Sequence, residues 1–108
     1  MKSHKKNVAA ISARMLKRRV NRVAIDSANV AFSKHAVQRS TSRKITVAMI
    51  IRVLRAGDIR GDILQNNSDE YRFTVAARIM EEEIGVVAVM RTSGEGRVYV
   101  ITVMELVR

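Results

Sequence analysis

The stretch Tyr71-Arg72-Phe73-Thr74-Val75-Ala76-Ala77-Arg78-Ile79 decides the fold. Tyr71, Phe73, Val75, Ala77 and Ile79 alternate with Arg72, Thr74, Ala76 and Arg78, and a period of two is the pattern of a strand with one face buried. Downstream, an acidic turn at 81–83 leads to a second strand over 84–91, and Thr92-Ser93-Gly94-Glu95-Gly96 forms a turn into a third over 97–106. Upstream, residues 58–65 supply a fourth strand ahead of the polar turn 66–69. Four strands with short connections make an antiparallel meander, and its apolar face needs a cover.

The cover lies further upstream. After an extended stretch at 28–32, Ser33 is placed to cap a helix running to about Arg39, with Phe32 and Val37 at the spacing of a hydrophobic staple. A polar and basic loop, 40–44, precedes Thr46 as the next N-cap. Val47, Ile50, Ile51 and Leu54 form one apolar face, and Gly57 ends that helix as its C-terminal cap. The fold class is therefore α+β: two short helices packed on a four-stranded antiparallel sheet, preceded by a basic, partly helical N-terminal arm. The expected division is an arm at 1–25 and a domain at 26–108. Val86, Val87, Val89, Val98, Val100, Ile101 and Val103 are more apolar than one helical hairpin easily buries. Either a second copy of the chain covers the other sheet face, or the arm helix packs there.

At 108 residues with 47% hydrophobic content, the chain supports one core. It contains no cysteine and only two histidines, which excludes disulfides and a structural zinc site. No apolar run approaches the roughly 18 residues of a membrane span, and the basic start leads into no signal-peptide core. A cytoplasmic location without membrane attachment is expected. Nothing resembles a phosphate loop, a catalytic triad, a metal-ligand cluster or a paired-carboxylate site, so no metal and no small-molecule cofactor are expected.

The net charge of +10 is distributed unevenly. Residues 1–23 hold Lys2, Lys5, Lys6, Arg14, Lys17, Arg18, Arg19 and Arg22 and no acidic residue; Asp26 is the first. On a helix, Ala9, Leu16, Val20 and Val23 share one stripe, with Arg14, Lys17, Arg18 and Arg22 on the other side. Such a segment suits a solvated tail, an anionic membrane surface, an acidic protein or a polynucleotide. The absence of Trp, Phe and Tyr from it counts against the membrane. Clustered Lys and Arg displace condensed counterions from a polyanion whatever its base sequence, which favours nucleic acid without itself choosing between duplex DNA and RNA.

The residues Phe32-Ser33-Lys34-His35-Ala36 with Arg39, Ile45-Thr46, Leu54-Arg55-Ala56-Gly57, Tyr71-Arg72 and Val100-Ile101-Thr102-Val103 resemble a bacterial domain of unknown function grouped with the RelE/ParE-type toxins, over residues ~30–106. That resemblance implies helix, helix and four strands. Its toxin branch implies a metal-independent ribonuclease, with His35, Arg39, Arg97 and Tyr99 as the acid-base and charge-stabilising set. The alternative role for His35 and Arg39 is to cap and pack the first helix.

The resemblance leaves the arm unexplained, and basic arms are common in DNA-binding regulators, where they add phosphate contacts. In general character the chain also resembles the small transcriptional activators of conjugative plasmids and other mobile elements. The expected function is thus a homodimeric DNA-binding regulator. Lys2, Lys5, Lys6, Arg14, Lys17, Arg18, Arg19 and Arg22 would contact DNA, and Lys34, Arg39, Arg43 and Lys44 would extend the basic surface.

Overall fold

In the computed structural model, which describes residues 7–8, 11–67, 69–93 and 96–106, the chain runs β1 (Asn7–Val8), α1 (Ala13–Val23), a single 3-10 turn (Ser27–Asn29), β2 (Val30–Phe32), α2 (Lys34–Arg43), α3 (Val47–Ala56), β3 (Asp58–Ile59), β4 (Leu64–Asn67), β5 (Glu70–Ile79), β6 (Glu82–Arg91) and β7 (Val98–Glu105). The fold is α+β. Among the described residues there are three helices, α2 and α3 where two were expected and α1 within the expected arm, and the sheet is mixed rather than a four-stranded antiparallel meander.

The sheet path is β1-β4-β5-β6-β7-β2, with β3 paired to β5 beside it. β3 lies opposite Val75 and Ala76, and β4 lies opposite 70–72, on the same edge of β5. The strand expected over 58–65 is therefore interrupted. Gly61 takes φ +80 in the break, and Arg60 N–H still donates to Thr74 O at 2.8 Å. The mixed character comes from β2, which pairs parallel to β7 through Val30↔Val98, Ala31↔Tyr99 and Phe32↔Val100. A parallel pair needs a long crossover, and α2, α3 and the β3–β6 segment provide it. Three residues are too few to show a period, so the sequence marks 28–32 as extended without giving it a partner.

One sheet face carries the core. Phe73 and Val75 of β5, Ile84, Val86, Ala88 and Met90 of β6, and Val98, Val100 and Val103 of β7 are all buried there against Ile50, Val53 and Leu54 of α3 and Leu16 and Val20 of α1. The spacing from Val100 to Val103 is odd, so a regular strand would aim them at opposite faces. A bulge resolves this: Val87 pairs with Thr102 and Ala88 with Val100, leaving Ile101 as the extra residue. Ser33 secures the bulge, its Oγ donating to Ile101 O at 2.8 Å while accepting from Ala36 N–H at 2.9 Å as the α2 N-cap. The opposite face holds Arg72, Thr74, Ala76, Val87, Val89 and Tyr99 by register. α1 does not cover it. Its buried Ala76 and Val87 stand outside the main core cluster.

Both expected N-caps are in place, Ser33 on α2 and Thr46 on α3. The expected loop at 40–44 is instead mostly the last turn of α2, closed by Lys44 in the left-handed region at φ 58. Thr41 Oγ1 donates to Val37 O at 3.1 Å and Ser42 Oγ to Arg39 O at 3.3 Å. Hydroxyls that otherwise draw such residues into turns here bond their own helix. Gly57 does end α3, but with φ −77. Its need is steric: an added Cβ would come within 2.6 Å of Val53 O and 2.7 Å of Ala76 O and Val75 Cγ1.

The acidic turn expected at 81–83 is shifted. Ile79 pairs with Glu82, so Met80 and Glu81 form a two-residue hairpin loop with φ 51 and 73. Such loops favour Asn-Gly, and a left-handed residue with a Cβ costs about 1–2 kcal/mol. The double substitution Met80→Asn, Glu81→Gly is expected to raise stability by about 1 kcal/mol in urea unfolding. No gain would show that Met80 and Glu81 make compensating contacts in the folded state.

Candidate nucleic-acid interface

Ser12 caps α1, its side chain accepting from Met15 N–H at 3.1 Å. Leu16 and Val20, four apart, are fully buried, and that stripe fixes the rotation of the helix. The side chains flanking it therefore point to defined places. Met15, Arg18, Arg19, Arg22 and Val23 form one wall of a cleft of about 370 Å³, and Met90, Arg91, Thr92 and Gly96 form the other. No acidic side chain among the described residues lines it. Arg19 Nη1 crosses between the walls and donates to Thr92 O at 2.9 Å. Four guanidiniums thus line the cleft beside the methionine and valine side chains of its walls, an arrangement suited to a phosphate-bearing ligand.

A second cleft, about 490 Å³, shares Met90, Arg91 and Gly96 with the first and adds Glu70, Val89, Ser93, Arg97 and Tyr99. Arg91 Nε lies 3.4 Å from Glu70 Oε1, and Asn66 Nδ2 donates to Glu70 Oε2 at 3.0 Å. The Arg91 side chain is 62% exposed, so the ion pair adds little stability. Its guanidinium remains open to a ligand from either cleft.

The other residues expected in the site divide into groups. Lys2, Lys5 and Lys6 lie outside the described residues. Arg14 is exposed on α1 but lines neither cleft. Lys17, expected to contact DNA, turns inward: its Nζ donates to Asn21 Oδ1 and Gly57 O, both at 2.9 Å, and lies 3.4 Å from Asp58 Oδ1. Lys34, His35, Arg43 and Lys44 are exposed on α2, and Arg39 is half-buried with its Nε enclosed and unpaired. None of these α2 residues lines either cleft. Of the four candidate ribonuclease residues, the structure brings Arg97 and Tyr99 into one cleft and leaves His35 and Arg39 out of it.

Arg91 is the functional candidate that sequence reasoning missed. As the final residue of an expected strand it carried no separate signal, and its partners on α1 are some 70 positions away in the chain. Arg55 is a second omission with a structural role: Nε donates to Ala24 O and Nη2 to Ile25 O, each at 2.8 Å, binding the end of α3 to the end of α1. Among the described residues no three His, Cys, Asp or Glu side chains lie close enough to hold a metal ion. No helix among them is long and apolar enough to cross a membrane.

Neither a curated protein nor a solved structure matches the chain. One family model does, across residues 32–105, from the end of β2 to the end of β7, so the α1 wall of the first cleft lies outside the matched span and the Arg91 wall inside it. The chain belongs to the family described as Domain of unknown function (DUF4258).

Proposed function

We propose that the protein is a DNA-binding regulator of transcription, an activator belonging to a plasmid or mobile element, acting in the cytoplasm as a homodimer. The carrying observation is the convergence of Arg18, Arg19 and Arg22 with Arg91 on one cleft that no carboxylate among the described residues lines. A helix fixed by buried Leu16 and Val20 presents these charges in one place, which supports site-directed phosphate contact over a merely solvated tail. Lys2, Lys5 and Lys6, outside the described residues, add three further positive charges to the N-terminal segment. The half-buried Val89 and Met104 on the uncovered sheet face would meet a second copy.

Titration of labelled duplex DNA by fluorescence anisotropy across a salt series tests this. Counterion release from four arginine contacts alone gives a log-log slope of roughly −3.6, steeper if the N-terminal lysines engage. A flat salt dependence would remove the proposal. The runner-up is a metal-independent ribonuclease of the RelE/ParE type, favoured by Arg97 and Tyr99 sharing a cleft with the Glu70 carboxylate. RNA cut by the purified protein, with cutting lost in Arg97→Ala, would reverse the ranking.

A further inference from the structure

The second cleft has a feature that duplex binding does not use. Tyr99 is 44% exposed, one of few large hydrophobic side chains so open among the described residues. It lines the cleft together with two arginines, Arg91 and Arg97. Within a duplex both faces of each base are covered by neighbouring bases, so an aromatic ring can stack only on a base that is unpaired or at an end. The dimensions agree. Cavities of about 300–1,000 Å³ receive small-molecule ligands, and the second cleft, about 490 Å³, is the size for a single nucleotide. The two clefts meet at Met90, Arg91 and Gly96, so a strand following the arginines of α1 passes Arg91 to reach Tyr99.

Building on the nucleic-acid role argued under Proposed function, we infer that this cleft takes an unpaired nucleotide of a single polynucleotide strand, with its base stacked on Tyr99 and its phosphates held by Arg91 and Arg97. Glu70 lies beside the site, its Oε1 3.4 Å from Arg91 Nε. The sugar is not specified by this chemistry, so single-stranded DNA and RNA are both candidate sources.

The chain offers its own probe. It has two tyrosines and no tryptophan. Tyr71 packs against the core, and in a Tyr71→Phe background all tyrosine emission comes from Tyr99. Titrating that full-length protein with single-stranded DNA, single-stranded RNA and duplex DNA is expected to quench the emission with a single strand and not with the duplex. Which single strand binds more tightly identifies the source. In otherwise wild-type protein, Tyr99→Leu is expected to weaken single-strand binding about ten-fold, since base-aromatic stacking contributes about 1–3 kcal/mol per base. Tyr99→Phe, which keeps the ring, should stay within about two-fold of wild type. Salt-dependent duplex binding with no quenching by either single strand, or equal affinities for Tyr99→Leu and Tyr99→Phe, would overturn the stacking site alone. Failure of all three polynucleotides to bind would overturn the proposed function and the stacking site together.

Discussion

Deleting residues 1–23 is expected to abolish cooperative thermal unfolding, rather than release a stable domain from a dispensable tail. Leu16 and Val20 are fully buried in the same cluster as Val53, Leu54 and Val75. The attachment is also polar. Asn21 Nδ2 donates to Leu54 O at 2.7 Å and Lys17 Nζ to Gly57 O at 2.9 Å, so α1 satisfies carbonyls at the end of α3 that the helix cannot satisfy itself. Removing one buried leucine side chain costs about 2–5 kcal/mol, out of a total of about 5–15 for a domain. The single substitution Leu16→Ala should therefore lower Tm by about 10 °C or more at this chain length. A melt of the deletion variant within a few degrees of wild type would show that α1 is not part of the folding unit.

The sequence made some of this legible and hid the rest for physical reasons. The alternation over 71–79 located β5 because one face is core and the other is not. Ser33 and Thr46 located two helix starts because a hydroxyl at that position bonds a backbone amide within three residues. Each of these signals is local. The mixed sheet was hidden because β2 is short and its partner, β7, is distant in sequence. The bulge at Ile101 was hidden because it shows only as a change of parity between Val100 and Val103. In α1 the apolar stripe was readable, but a helical projection assigns a direction and not a partner. Lys17 shares the basic side with Arg18 in projection, yet three oxygens of Asn21, Gly57 and Asp58 surround its ammonium. The cleft itself joins α1 to the end of β6, a juxtaposition that no local spacing encodes.

The substitutions Arg18→Gln, Arg22→Gln and Arg91→Gln, combined in one protein, are expected to lower duplex affinity by about two to three orders of magnitude at low salt. Charge-assisted hydrogen bonds contribute about 1.5–3 kcal/mol each when their partners are enclosed and less at an open cleft, and three of them at the lower end give that loss. The log-log salt slope should also become shallower by roughly 2.7, the share of three phosphate contacts. Arg19 is left in place because its bond to Thr92 O spans the cleft, and removing it would mix a change of shape with a change of charge. Stability should hold: Arg18 and Arg22 are exposed, and the Arg91–Glu70 pair is open to solvent. Lys17→Met is the matched control, since it removes one positive charge from the same helix. It is expected to destabilise the fold by about 1–3 kcal/mol, by leaving Asn21 and Gly57 O short of a donor, and to leave the salt slope unchanged. If Lys17→Met instead flattens the slope without loss of stability, affinity follows the total charge of the N-terminal segment and the cleft has no special part in it.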